Sequence, residues 1–244
     1  MSLTPFGLEF DRAGPDEALA FALTRDPEAP FGYVVTPNVD HLARLRKQPE
    51  LMGCYRAASL RLLDSRLLWN LARLLRLDPP PVVTGADLLA ALLPVLDARA
   101  ARVTLIGLAS DQASELGARF PRIVLAHHTP PPGFEHDPVA FARARDFVND
   151  HPAEITVFAV GSPRQEMLAH AVKETGQARG IGLCVGVAPL FAIGAIRRAP
   201  CWIRRVGLEW LWRLVQEPRR LARRYLLAGP PALVAILTDG FRRR

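Results

Sequence analysis

Short apolar runs recur along this chain, each closing on a small or polar turn residue and each followed by a segment with helical spacing. FGYVVTPNVDHLARL passes from an apolar strand through Thr36-Pro37-Asn38 into a helix with Leu42 and Leu45 on one side. ASLRLLDSRLLWNLARLL repeats the pattern, with strand residues Leu60 to Leu63, a break at Asp64-Ser65 and then a helix. PPVVTGADLLAALLPVL sets Thr84-Gly85 before another apolar helix. ARVTLIGLAS, EITVFAVGSPRQEML and GIGLCVGVAPLFAIG read as buried strands, the first two ending at Gly107 and Gly161. Parallel strands need a long return crossover, and helices supply it while covering both faces of the sheet. The pattern therefore predicts an α/β fold with a mostly parallel, Rossmann-like sheet flanked by helices. HHTPPPGFEHDP (127–138) reads as a proline-rich surface loop before a helix at 139–149.

The turns at the strand carboxyl ends carry Thr36, Asn38, Asp64, Ser162 and Gln165. In an open parallel sheet that edge is where ligands bind. GSPRQE (161–166) follows a strand and opens a helix, so its free N–H groups suit a phosphate. An ordinary strand–helix turn, with Pro163 early in the helix and Glu166 facing the helix dipole, explains the same residues. Asp64 has two readings as well: a general base for a substrate hydroxyl, or a helix N-cap. For Thr36 and Asn38 the competing role is turn formation. TLIGLAS lacks the rest of a GxGxxG fingerprint, which argues against a dinucleotide oxidoreductase. The His127-His128 pair has no spaced partners for a metal, and no Asp-x-Asp pair is present to bridge a divalent ion to a diphosphate.

Charge divides the chain. The whole has 244 residues and a formal charge of +7. Residues 197–244 hold twelve arginines against Glu209, Glu217 and Asp239, a local +9, which leaves the other 196 residues at −2. A boundary is expected near Gly194, with residues 1–195 as the α/β domain and 196–244 as a basic helical appendage. Three separated cysteines, Cys54, Cys184 and Cys201, suggest a reducing compartment, and the first residues do not resemble a signal peptide. YLLAGPPALVAIL, 13 residues split by Pro230 and Pro231, is too short for a bilayer span of about 20 residues. Trp202, Trp210 and Trp212 sit among the arginines, and Ile203, Val206, Trp210 and Leu214 follow 3–4 spacing. Basic amphipathic helices with aromatics suit an anionic membrane surface, and single-stranded nucleic acid could use the same side chains by stacking.

TPNVDHL, LLDS, VVTGADLL, TLIG, GSPRQE and above all RRAPCWIRRVGLEWLWRLVQEPRRLARRY resemble the WecG/TagA/CpsF glycosyltransferases of bacterial cell-surface polymer synthesis, from Thr36 to Tyr225. The resemblance implies an inverting, metal-independent and cofactor-free enzyme. It would move a sugar from a UDP-sugar to a polyprenyl-diphosphate-linked acceptor, working peripherally on the cytoplasmic face of the plasma membrane. It makes residues 1–195 the catalytic domain and the tail a membrane-docking appendage, and it favours membrane over nucleic acid as the tail's partner. Asp64 matches the family's general base, and Thr36 and Asn38 match its TPN turn. Gln165 matches the glutamine of a G-x-P-[KR]-Q-E element, so Gly107, Gly161, Ser162, Gln165 and Glu166 are expected on the donor side. Arg213, Arg220 and Arg223, with Trp210, are expected to meet the membrane or the acceptor diphosphate. The chain departs from the family pattern at Ser65, where glycine is usual, at Val82, where arginine is common, and in GVAPLFAIGAIRRAP. The donor sugar, the acceptor and the oligomeric state stay open. The alternative is a non-catalytic membrane- or nucleic-acid-binding module on a decayed transferase fold.

Overall fold

A computed structural model describes residues 3–26, 29–222, 226 and 229–242. The strands are β1 (Gly32–Val35), β2 (Leu60–Arg61), β3 (Arg102–Ile106), β4 (Val124–His128), β5 (Ile155–Phe158) and β6 (Ile181–Cys184). They form one sheet in the order β2-β1-β6-β5-β3-β4. Every pairing is parallel, and an isolated parallel bridge between Leu63 and Val82 extends the β2 edge. The expected parallel α/β fold is the one observed.

Side chains alternate across a strand, and here the alternation builds two cores. Tyr33, Val35, Ile106, Phe158 and Cys184 face one layer, built from helices Val39–Lys47, Arg66–Leu74, Pro138–Asp150 and Arg164–Thr175. Val34, Val103, Leu105, Ile155, Val157, Ile181 and Leu183 face the other, built from helices Pro15–Thr24, Gly85–Ala98, Ser110–Arg119 and Ala188–Ala192. Burial on both faces is why the central strands are unbroken apolar runs. On β6, Gly182 makes room for an edge-to-face pair: a Cβ there would come within 2.7 Å of the Phe31 ring and 2.8 Å of the Phe158 ring.

Two expectations need correction. His127 and His128 are not in a loop but end β4, where His127 Nε2 lies 2.8 Å from the Gly107 carbonyl and His128 stacks on Phe147. β4 is an edge strand, half covered, and its apolar run Ile123 to Ala126 passes with no turn residue into the two histidines. The other correction concerns the stripe Ile203–Val206–Trp210–Leu214. Gly207, at φ +83°, breaks the chain into helices Cys201–Arg205 and Glu209–Gln216, so those residues do not share one helix face.

The basic segment is not a loose extension. Its last helix, Gly229–Arg242, packs on helix Val39–Lys47 and places Ile236 in the first core with no exposure. Asp239 accepts a hydrogen bond from the Phe6 N–H at 2.7 Å. Among the described residues no helix is long and apolar enough to cross a membrane.

Leu183, fully buried on β6, tests this placement. Leu183→Ala should lower stability by about 2–5 kcal/mol through lost burial and a cavity, measured by urea unfolding. Val215→Ala, at a side chain 74% exposed, should change it by no more than about 0.5 kcal/mol. A Leu183→Ala loss as small as the Val215→Ala one would contradict the two-layer core.

Candidate active site

The chain leaves β3 for β4 and leaves β5 for β6, in opposite directions across the sheet, so a crevice opens at the carboxyl ends of β3 and β5. Gly107 and Gly161 flank it. Gly107, at φ +105°, lets the turn after β3 approach the turn after β5 so closely that a Cβ would lie 2.8 Å from the Ala159 carbonyl carbon. Thr36, Asn38 and Asp64 follow β1 and β2 on the same edge.

Asp64 lies between three elements. Its N–H donates to the Pro37 carbonyl at 3.0 Å, tying it to the turn after β1. Its Oδ2 accepts the N–H of Gly85, the first residue of helix Gly85–Ala98, at 3.2 Å. Asp64 is not an N-cap: Ser65 Oγ does that for helix Arg66–Leu74, accepting the Leu68 N–H at 3.1 Å. The departure at Ser65 thus has a local function, and its φ of −157° is ordinary extended backbone that needs no glycine. Burial is the main influence on the Asp64 carboxyl and raises its pKa from 3.8 to about 7. The Gly85 N–H opposes that rise, Glu209 and Asp87 add to it, and Arg198 subtracts from it.

Thr36 is buried beneath this group. Its hydroxyl donates to the Cys184 carbonyl at 3.3 Å, and a side chain at Gly85 would come within 3.1 Å of Thr36 Oγ1. Asn38 caps helix Val39–Lys47 through Oδ1, which accepts the N–H groups of Asp40 at 3.0 Å and His41 at 3.4 Å. Both residues shape the turn that holds Asp64.

Residues 161–166 form a second, contiguous network. The Gln165 Oε1 accepts the Gly186 N–H at 2.9 Å, and its Nε2 donates to Glu166 Oε1 at 2.8 Å. Gln165 therefore joins the turns after β5 and β6 from below, and it is only 2% exposed. Glu166 is buried too; desolvation raises its pKa, opposed by Gln165 and Ser162. Arg44 Nη1 donates to Ser162 Oγ at 2.7 Å, and the Tyr55 hydroxyl lies 3.3 Å from the same oxygen. Arg44 also pairs with Asp40 at 3.3 Å, so a cation stands beside the GSPRQE turn.

The tail closes over the Asp64 side. Arg198 Nη1 meets Asp87 Oδ1 at 2.6 Å and Arg198 Nη2 donates to Thr84 Oγ1 at 3.0 Å. Arg204 reaches the same Asp87 oxygen at 3.1 Å, and Arg198 Nε lies 3.7 Å from Glu209. Burial alone would raise the Asp87 pKa, but the bonds from Arg198 and Thr84 outweigh it and hold the carboxyl below its ordinary value. Val82 has no charge to offer this neighbourhood; Arg198 and Arg204 bring it from more than a hundred residues away.

The expected site residues thus share one sheet edge, in two linked groups. Thr36, Asn38 and Asp64 gather around Gly85, while Gly161, Ser162, Gln165 and Glu166 gather around Gly186; the Thr36 bond to Cys184, just before Gly186, joins the groups. Of the tail residues, Trp210 and Arg213 are half-buried. Arg220 is placed by its backbone alone, and Arg223 lies outside the described residues. Sequence reading did not single out Arg44, Tyr55, Thr84, Asp87, Arg198, Arg204 or Glu209 for the site. TGADLL and RRAP contain several of them, but only the fold makes them neighbours. Among the described residues no three His, Cys, Asp or Glu side chains are gathered as metal ligands.

Compared with known protein families, residues 3–244 match the Glycosyl transferase WecG/TagA/CpsF family, essentially the whole chain.

A carboxyl whose pKa is about 7 when folded but 3.8 otherwise makes folding less favourable as pH rises from about 4 to 7, and adds no further loss above that. Asp64→Asn removes this burden. The variant should gain thermal stability relative to the parent across that window, with no gain at pH 4 and a constant one above pH 7. Paired melting curves from pH 4 to 9 measure it, and a pH-independent difference would contradict the burial of Asp64.

Proposed function

The chain belongs to the WecG/TagA/CpsF family of glycosyl transferases, and on that premise we propose that it moves a sugar from a UDP-sugar to a hydroxyl of a polyprenyl-diphosphate-linked acceptor in cell-surface polysaccharide synthesis. The observation that carries this reading is Asp64: a carboxyl at the ligand edge of a parallel sheet, fixed by the Pro37 carbonyl and the Gly85 N–H and adjusted by burial to about pH 7. A general base works best when its pKa lies near the operating pH, because it is then both ionised and proton-attracting.

In this mechanism Asp64 takes the proton of the acceptor hydroxyl as that oxygen attacks the anomeric carbon from the face opposite UDP. The bond from that carbon to the UDP oxygen breaks, UDP leaves with the electron pair, and the configuration inverts. The growing charge on the diphosphate meets N–H groups of the Gly161–Ser162 turn, near Arg44, and the Arg198–Arg204 pair above Asp64. Gln165 and Glu166 support the turn from beneath, Thr36 and Asn38 hold the turn beside Asp64, and Gly107 lets the two loops approach. The reading assigns no step to a metal or cofactor. The acceptor's lipid stays in the bilayer, so the chain works as a peripheral protein on the inner face of the membrane. The arginines of the tail, Arg213, Arg220 and Arg223 among them, meet the anionic surface. Trp202, 67% exposed, is the tail tryptophan assigned to lipid on this reading; Trp212 donates from Nε1 to the Arg197 carbonyl at 3.3 Å, and Trp210 is half-buried.

Transfer from a panel of UDP-sugars, including N-acetylmannosamine, glucose and glucuronate donors, to a lipid-diphosphate acceptor tests the reading. The parent should transfer from at least one donor, and Asp64→Asn should be slower by about 10²–10⁴-fold with UDP-sugar binding preserved. EDTA should leave the parent rate unchanged. Full activity in Asp64→Asn, or abolition by EDTA, would contradict the mechanism.

A further inference from the structure

Helix Arg66–Leu74 belongs to the α/β body, yet one side of it is left uncovered. Leu68 and Ala72 are buried in the first core. On another side Leu67, Asn70 and Leu74 follow 3–4 spacing and form a single stripe. The tail covers only the start of that stripe. A Cβ on Gly207 would come within 3.1 Å of Leu67 Cα, and Asn70 Nδ2 donates to the Val206 carbonyl at 3.2 Å. One turn further on, Leu74 is 77% exposed and Leu75 follows it into solvent. Across the contact Val206 is 53% exposed, and Trp202, whose carbonyl accepts the Val206 N–H at 3.2 Å, is exposed as well. Leu74, Asn70, Val206 and Trp202 thus form one continuous row made by two parts of the chain.

Arginine predominates around this row, although Arg198 and Arg204 are paired with Asp87, and Asp64, Asp78 and Glu209 flank the two stretches. Residues 65–77 contain Arg66, Arg73 and Arg76, residues 197–208 contain Arg197, Arg198, Arg204 and Arg205, and neither stretch contains an acidic residue. Arg73, Arg76 and Arg205 are exposed. Arg66 and Arg73 lie over the Trp69 ring at 5.2 and 5.5 Å. A second copy of this face would set arginine against arginine, so self-association through it is disfavoured. An anionic bilayer complements it, because basic and apolar contacts act together there.

We infer that helix Arg66–Leu74 and the tail form one surface for an anionic phospholipid bilayer, with Leu74 and Trp202 entering the headgroup–acyl boundary and Arg73, Arg76 and Arg205 meeting lipid phosphates. This rests on the peripheral reading above and adds to it: the body itself, and not the tail alone, touches lipid.

Co-sedimentation of the full chain with vesicles of phosphatidylglycerol and phosphatidylcholine, and of phosphatidylcholine alone, tests the inference. The parent should bind the anionic vesicles, and less so at high salt. Leu74→Glu and Trp202→Glu should each weaken that binding by about tenfold or more, since each removes an apolar anchor and adds a repelled charge. Leu74→Gln should weaken it less, and melting curves matching the parent would show that the variants fold. Loss in Trp202→Glu with parental binding in Leu74→Glu and Leu74→Gln would overturn the body's share while leaving the peripheral reading intact. Absence of parental binding to either vesicle would overturn both. A parent dimer that Leu74→Glu dissociates, with vesicle binding unchanged, would make the face an interface between copies and overturn the inference.

Discussion

The site depends on one partly buried hydrogen bond, from the Gly85 N–H to Asp64 Oδ2 at 3.2 Å. It joins the turn after β2 to the start of helix Gly85–Ala98, whose leucines fill the second core. An N–H at a helix start favours the carboxylate, while burial favours the neutral acid. Burial is the larger influence here, and the balance leaves the group at about 7. A carboxyl in open solvent would stay near 3.8 and attract a proton weakly. The packing that buries the strands therefore also sets the proton affinity of Asp64 at their ends.

The tail takes part in that balance through Asp87. This one side chain receives Arg198 and Arg204 from the tail and the Thr84 hydroxyl from its own helix, while Glu209 approaches Arg198 from the other side. Because Arg198 and Glu209 both act on Asp64, with opposite signs, a displaced tail would alter that carboxyl without touching it. The same segment rests Val206 and Gly207 on helix Arg66–Leu74, which Ser65 caps directly after Asp64. The proposed membrane surface and the proposed base thus share a few residues, and the charged tail lies beside Asp64 instead of trailing from the domain.

Much of the fold was legible in the sequence because burial on both faces gives inner strands an unmistakable apolar run. β4 escaped notice because its apolar run, Ile123 to Ala126, passes with no turn residue into His127 and His128, which looked like the start of the proline-rich loop. Asp64 and the GSPRQE turn were legible because polar residues at strand carboxyl ends stand out against apolar surroundings. What those residues do was less so. Asn38, read as a turn residue, caps helix Val39–Lys47, whereas Asp64, for which an N-cap was the competing reading, leaves that role to Ser65; composition cannot separate these cases. The Arg198–Asp87 contact spans 111 residues and has no local signature. YLLAGPPALVAIL was legible only as a stretch too short to span a bilayer, because the partners of the helix that carries Ile236 lie far away in sequence, on helix Val39–Lys47 and at Pro5–Gly7.

The central claim is that burial has adjusted Asp64 into a base suited to neutral pH. Carbon-13 NMR of the selectively labelled aspartate carboxyls, with Asp64→Asn to assign the signal, measures this directly. The account predicts a titration midpoint for Asp64 near 7, well apart from the exposed aspartates. A midpoint near 4 would show a solvated carboxylate and contradict both the burial of the site and the role given to its base.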